Sequence, residues 1–404
     1  LYPVYNLHKS DFDEKSFKIN SSKAFPNSIN SLFQEGPASW DEKSDILYFT
    51  RSSKAIGEKN IIELDIYSIK YSDINSTIAF PIPINLQGYS SMHPSVSVSD
   101  NKLYFASDRP EGFGGMDIYS SDILPDGKFG PVINLGPDIN TAKDEVFPFI
   151  FNERFLFYSS TEGDGDVLNV VGDKFGNTET SIEEGEREKL DIKMAINVIE
   201  NRWEIHSLNS PFNSPDNDDF SIYISNPLQF GLLASNRSDG KGDDDLYAFK
   251  FTPKIVGEDD NYKYKTNDTL AISFEGVLLN DIKKMFLNDP LTALFEKGVK
   301  IIKSTDFGYL KLNNNGSFIY KNNNPVEKVD KFIYVINSDF GSSDPITVTL
   351  EREDMPKLKP LPPIFFDFDK FTLLEKYKDR LDAVVKTLNN YPEIKIKVNS
   401  YADC

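Results

Sequence analysis

Acidic side chains beside glycines are the first residues of this 404-residue chain that could do chemistry. Asp117, Asp166 and Asp245 each stand ahead of an apolar stretch, in GFGGMDIYSS, GDGDVLNV and GKGDDDLYAF. A carboxylate placed there can accept hydrogen bonds from backbone N–H groups that a turn leaves free, and that structural role is the expected one. Asp243, Asp244 and Asp245 crowd one loop, but a calcium loop sets its oxygens at alternating positions, and that spacing is absent. A Ser-His-Asp hydrolase would need His8, His93 or His206 as its base and a nucleophile on an elbow such as G-x-S-x-G, which does not occur. His93 opens an expected strand, where packing or a turn is its role. The chain is therefore expected not to be an enzyme and to hold no cofactor.

The elements that must position these residues follow from composition and periodicity. With 39% hydrophobic and 13% aromatic residues, the chain can fill two or three cores. Its 44 basic and 63 acidic residues give a net charge of -19, which argues against nucleic acid as a partner. No apolar run approaches the roughly 18 residues of a membrane-spanning helix, so the chain as given reads as soluble. It begins at Leu1 without a methionine, signal peptide or acylation motif, and its true N-terminus is expected to have been removed or to lie outside this sequence. The single cysteine, Cys404, excludes an internal disulfide.

Residues 1–253 repeat. GPASWDEKSDILYFTRS, HPSVSVSDNKLYFASDR, FPFIFNERFLFYSST and FSIYISNPLQFGLLASNR align with Leu47, Leu103, Leu156 and Gly231 in equivalent places. Each block reads as strands, followed by an acidic turn into a further strand such as LDIYSI at 64. Units of about four strands and 40 to 50 residues point to propeller blades, because one small sheet must stack on neighbours to bury its faces. The repeat resembles the TolB-type, WD-like propeller repeat of envelope proteins from Bacteroidota-like bacteria. KINSSKAFPNSINS resembles INLGPDINTAKDE and is expected to supply the outer strand of a closing blade, while residues 167–205 are expected to hide a degenerate one. The sialidase turn S-x-D-x-G-x-T-W is missing. The acidic run SIEEGEREKLDIK from 181 reads as a solvated excursion.

Residues 254–351 shift to alternating strands around NNG and DFG turns, with one helix candidate at 281–298, and suggest a small β-sandwich. EDDNYKYKTNDTLAI, GVLLNDI and STDFGYLKLNNNGSFIYKNNN resemble the cadherin-like, VCBS-type immunoglobulin-like repeat of bacterial surface proteins. The resemblance implies a spacer, with Asp259, Asp260, Asn280 and Asp281 as calcium candidates.

Residues 352–363 form a proline-rich linker, and 364–404 read as strand, helix, strand: IFFDF, a helix with Thr372 and Glu375 as capping box, and IKIKV. Leu374, Tyr377, Leu381, Val384, Val385 and Leu388 form the helix's apolar face. FFDFDKFTL and YPEIKIKVNSYADC resemble the first half of an OmpA-like peptidoglycan-binding domain, an incomplete α/β module whose remainder is expected beyond the sequence. That resemblance puts Asp403 where the family holds the amine of diaminopimelate. Ser400, Tyr401 and Ala402 depart from the family's Gly-His-Thr.

Together these readings imply a mainly β, multidomain protein: a propeller, a β-sandwich and the incomplete α/β module. The expected function is a noncatalytic scaffold in the periplasm, associated with the outer membrane and a lipoprotein in its full-length form. It would tie an outer-membrane or periplasmic protein complex, such as a secretion or gliding-associated barrel, to peptidoglycan. The alternatives are a wall-tethered propeller enzyme or glycan-binding protein, and a calcium-stabilised surface adhesin.

Overall fold

A computed structural model describes residues 5–56, 62–161, 189–199, 202–225, 228–265, 268–324, 326–353, 363–366, 372–390 and 394–397. The chain is mainly β and divides into two compact units: residues 1–256 with 281–297 and 337–342, and residues 257–280 with 298–336 and 343–404.

The first unit opens with four two-residue strands, β1 (His8–Lys9), β2 (Phe12–Asp13), β3 (Lys18–Ile19) and β4 (Lys23–Ala24). β1 pairs with β4 and β2 with β3. Three four-stranded antiparallel sheets follow in chain order. Sheet 1 holds β5 (Glu35–Asp41), β6 (Ile46–Ile56), β7 (Ile62–Lys70) and β8 (Phe80–Pro81). Sheet 2 holds β9 (Ser91–Ser97), β10 (Lys102–Ser107), β11 (Asp117–Asp122) and β12 (Ile133–Asn134). Sheet 3 holds β13 (Glu145–Phe151), β14 (Phe155–Ser160), β15 (Asp191–Ile199) and β16 (Arg202–Ser207). Sheet 4 has three strands, β17 (Asp219–Ile224), β18 (Phe230–Ser235) and β19 (Asp245–Lys250).

Leu47, Leu103, Leu156 and Gly231 are each the second residue of their sheet's second strand, so the aligned frame is the structural one. The apolar alternation puts one face of each sheet against the next. Tyr48 and Ile66 of sheet 1 pack on Leu103, Phe105 and Tyr119 of sheet 2, and Tyr104 and Ile118 pack on Ile150, Leu156 and Tyr158 of sheet 3.

A repeated bulge in the first strands ties neighbouring sheets together. His93 (φ 55°), Phe147 (φ 52°) and Ser221 (φ 54°) each occupy the left-handed region where the register with the second strand shifts. The bulge releases an amide from its own ladder. His93 N then donates to Thr50 Oγ1 at 2.9 Å, and Phe147 N to His93 Nδ1 at 3.2 Å. Val96 N to Ser39 Oγ (2.9 Å) and Ile150 N to Ser95 Oγ (3.0 Å) add a second bond at each junction.

β4 pairs with β1 as the outer strand β12 pairs with β11. The reading of 167–205 is corrected. The described part of 167–205 is no separate blade: Phe155–Ser160 pairs residue for residue with Ile196–Asp191, which makes 191–207 the third and fourth strands of sheet 3. Of the acidic run from 181, read as a solvated excursion, Asp191, Ile192 and Lys193 are instead buried in β15, while residues 162–188 lie outside the described residues.

In the second unit, β20 (Asp260–Tyr264), β21 (Leu270–Ile272), β22 (Gly298–Lys303), β23 (Gly308–Leu312), β24 (Phe318–Asn322), β25 (Val329–Ser338), β26 (Gly341–Ser342) and β27 (Ile346–Arg352) make two sheets. One runs β20-β27-β25-β22 with β26 beside β25, the other β21-β24-β23. Phe318 of one sheet meets Phe332 of the other edge-on at 5.6 Å, and Tyr320 and Tyr334 are fully buried. The expected helix is α1 (Leu279–Asn288), followed by a 3-10 turn, Pro290–Leu294. Leu291 and Leu294 belong to the core of sheets 3 and 4 in the first unit.

The expected strand, helix, strand at the C-terminus is represented by its helix, α2 (Lys378–Asn390). Residues 363–366 and 394–397 enter no ladder; a strand needs a neighbour to take its backbone groups, and none of the described residues pairs with them. The capping box does not form, because a 3-10 turn starts at Glu375 with Leu374 as its cap, leaving Thr372 too far upstream. The apolar stripe does form around buried Tyr377, with Val385 exposed.

Candidate functional site

The acidic turns resolve into backbone clamps. Asp117 accepts from Phe113 N at 2.7 Å and Gly114 N at 3.0 Å, and receives Asn134 Nδ2 at 2.7 Å. Asp245 accepts from Lys241 N and Gly242 N at 2.5 and 2.8 Å; these bonds, Gly242's first, hold its carboxyl below the ordinary range. Both therefore take the expected structural role. Asp166 lies outside the described residues. In sheet 3 the equivalent carboxylate is Asp191, which pairs with Ser160 as Asp117 does with Ser107. Its signal was present in the tripeptide Leu-Asp-Ile, which occurs at 64–66 and again at 190–192.

One residue after Asp117, Asp191 and Asp65, their equivalent in sheet 1, an asparagine side chain takes both backbone groups of the strand. Asn85 binds Ile66 N and O at 3.0 and 2.9 Å, Asn140 binds Ile118 at 2.7 and 3.0 Å, and Asn213 binds Ile192 at 2.8 and 2.9 Å. The loop before β11 also reaches the next sheet. An added Cβ on Gly114 would stand 2.3 Å from Lys143 O, so only glycine fits that approach.

Buried charge sits where first and second strands begin and end. Glu35 meets Arg51 at 3.0 Å, and Asp219 meets Arg237 at 2.6 Å. Glu145 is fully buried and is bound by Thr141 N, Thr141 Oγ1 and Ser160 Oγ; burial raises its pKa against the opposing pull of those bonds. Such pairs and hydrogen-bonded carboxylates keep the sheet ends in one register.

The three histidines stand apart. His93 is stacked on Phe147 at 3.8 Å, and burial pushes its pKa down to about 3. His206 lies 3.3 Å from Glu204 and meets Phe286 edge-on, and His8 Nδ1 is 3.3 Å from Ser22 Oγ at the surface. Lys297, which sequence reasoning did not single out, donates to Phe295 O at 3.2 Å, and burial lowers its pKa to about 8. A hollow of about 880 Å³ lies among Pro26, Ser28, Ile74, Thr77, Ile78 and Phe80. Its lining carries hydroxyls, amides and apolar surface and no titratable side chain.

The calcium candidates are placed as follows. Asp259 Oδ1 accepts from Thr347 N at 2.8 Å, Asp260 is buried and accepts from Tyr334 OH at 3.2 Å, and Asn280 Nδ2 donates to Glu258 O at 3.4 Å. Asp281 is fully buried in the first turn of α1. Among the described residues no group of three or more His, Cys, Asp or Glu is arranged to hold a metal ion. Asp403, with Ser400, Tyr401, Ala402 and Cys404, lies outside the described residues. No helix among the described residues is long and apolar enough to cross a membrane.

No protein-family model and no curated protein matches the chain. Solved structures that match include an α-L-arabinofuranosidase from Lactobacillus brevis, at 12% identity and TM-score 0.31, covering 57% of this chain and 78% of that one. An α-L-arabinanase from Penicillium chrysogenum matches at 14% identity and TM-score 0.28, covering 49% and 58%. A Trypanosoma rangeli sialidase matches at 9% identity and TM-score 0.29, covering 85% and 57%. The expectation that this protein is not an enzyme is corrected on this finding, since the matched structures are those of enzymes. Likeness at this level brings no activity or substrate to the chain.

Proposed function

We propose that residues 1–253 form a β-propeller that binds a partner protein of an outer-membrane or periplasmic complex, and that the C-terminal module holds the chain to peptidoglycan. The observation that carries the reading is the serial stacking of like antiparallel sheets through first-strand hydrogen bonds, His93 N to Thr50 and Phe147 N to His93. A ring of stacked blades is rigid and presents many connecting loops, which suits recognition of a protein surface. Residues 254–351 would act as an immunoglobulin-like spacer. Asp403 would supply the carboxylate for the diaminopimelate amine, an assignment that rests on the sequence resemblance. Its setting would be the periplasm, at the outer membrane, with a lipid anchor in the full-length form.

Affinity purification from cell envelopes, with and without residues 1–253, tests the partner. The complete protein should recover an envelope complex that the shortened one loses; identical recoveries would remove the propeller from partner binding. For the wall, Asp403→Ala introduced in the cell should lower the fraction of the protein that sediments with peptidoglycan. Equal sedimentation would take Asp403 out of the site.

A further inference from the structure

The N-terminal strands repeat the outer half of a blade, bond for bond. In sheet 2, Ile118 is bound by the Asn140 side chain, Leu135 N donates to Ile118 O at 3.1 Å, Gly130 N donates to Asp122 O at 2.9 Å, and Glu145 N donates to Met116 O at 2.6 Å. In the N-terminal segment, Asn30 binds Leu7 N and O at 2.8 and 2.9 Å, Phe25 N donates to Leu7 O at 3.1 Å, Asn20 N donates to Asp11 O at 2.9 Å, and Glu35 N donates to Tyr5 O at 3.0 Å. The strand pairing also corresponds: His8 opposes Ala24 and Lys9 opposes Lys23, as Tyr119 opposes Asn134 and Ser120 opposes Ile133. Thus β1 is a third strand and β4 a fourth.

Its position continues the series. Leu7 and Phe25 pack on Ile29, Leu47 and Phe49, on the face of sheet 1. On the other side, Phe12 stacks on Phe230 of sheet 4 at 4.4 Å, as Phe129 of sheet 2 meets Tyr48 of sheet 1. The half-sheet therefore lies between the last sheet and the first. In the three complete sheets the third strand also pairs along its inner edge with a second strand, β6, β10 or β14. Among the described residues β1 has no such partner. Leu7 turns both its backbone groups toward Asn30 and Phe25, so by strand alternation those of Asn6 and His8 face the open edge.

We propose that this edge of β1 receives a β-hairpin with the repeat's own inner-strand pattern, completing a fifth blade and closing the ring. The proposal rests on the propeller reading above. The hairpin's chemistry is set by its equivalents. Its second strand carries an apolar triplet, as in LYF of LYFAS or LFY of LFYSS, and ends in a small hydroxyl residue opposite Asn6, as Ser107, Ser160 and Ser235 stand opposite Asp117, Asp191 and Asp245. Its first strand is bulged, so that its amides reach sheet 4. A strand edge of this kind takes an added strand by main-chain hydrogen bonds, with side-chain pockets setting the choice.

The test joins residues 91–107 of this chain, through a short flexible linker, ahead of Leu1 of the full chain, with a scrambled hairpin as control, and follows amide hydrogen exchange by residue. The native hairpin should slow exchange at Asn6 and His8 by about tenfold or more over the scrambled one, the scale of a newly paired edge. Equal exchange in the two fusions, with Val96 and Ile150 well protected, overturns this proposal and leaves the stacked sheets standing. Unprotected Val96 and Ile150 overturn the propeller reading itself. Concentration-dependent protection of His8 in the unfused chain would make a second copy the occupant and also overturn the proposal.

Discussion

Replacing Asn140 by alanine removes the side chain that pairs with Ile118 N and O in a strand whose Ile118 is fully buried. Ile118 N loses its partner, at a cost of about 1–3 kcal/mol, while Ile118 O keeps Leu135 N and loses a second bond worth about 1 kcal/mol, the whole partly offset if water enters the space left by the amide. We expect a local loss of about 2–4 kcal/mol. Asn140 Nδ2 also donates to Asn134 Oδ1 at 2.9 Å, and Asn134 in turn donates to Asp117, so the damage should spread to the Asp117 turn. With two units in the chain, a single melting curve mixes transitions, and native-state exchange at the Ile118 amide is the cleaner assay. At about 1.4 kcal/mol per factor of ten, its protection should fall roughly 30- to 700-fold. Asn30→Ala should cost less, because Leu7 is only half-buried and its freed amide can meet solvent, while its carbonyl keeps Phe25 N. A fall of under about fivefold at Ile118 would refute the idea that these asparagines carry the sheet edges.

Arg237→Ala strips the cation from fully buried Asp219 and should destabilise sheet 4 by about 3 kcal/mol; adding Asp219→Asn should recover part of that, and no recovery would mean that packing of the arginine stem dominates. Gly114→Ala drives a Cβ to 2.3 Å from Lys143 O and should lower the first unit's Tm by several degrees, while an unchanged Tm would show that the loop gives way freely. His93 is a base whose folded pKa, about 3, lies below its ordinary value of 6.5, so the unfolded chain binds its proton first. Its contribution to stability is complete above pH 6.5 and falls by up to about 1.4 kcal/mol per unit as the pH drops toward 3. His93→Gln, which keeps an acceptor for Phe147 N, should flatten the dependence of Tm on pH between 6.5 and 4; equal slopes in both proteins would refute this.

Strand patterning and the repeat frame were legible because each sheet buries one face after another, which writes the same apolar run into every second strand. The four aligned residues fall at one structural position for that reason. What failed to show was pairing across long sequence separation. Ile196 pairs with Phe155 across an excursion of acidic and glycine-rich sequence, and the strand-like words GDGDVLNV stood nearer than the true partner. The same cause hid Asp191 behind Asp166. At the C-terminus, local pattern was sufficient for a helix, whose bonds are internal, but not for the flanking strands, whose bonds must come from elsewhere.

The bulge at His93 shows how one residue joins these levels. A left-handed backbone is uncommon for a residue with a side chain, and histidine tolerates it better than most. In return the bulge frees His93 N for Thr50 of the preceding sheet and sets the imidazole, held neutral by burial, to accept from Phe147 N of the following one. Protonation would turn that acceptor nitrogen into a donor facing another donor. The histidine thus acts as a hydrogen-bonded spacer between two sheets, a role that its place at the opening of an expected strand could not have revealed without the register of the bulge.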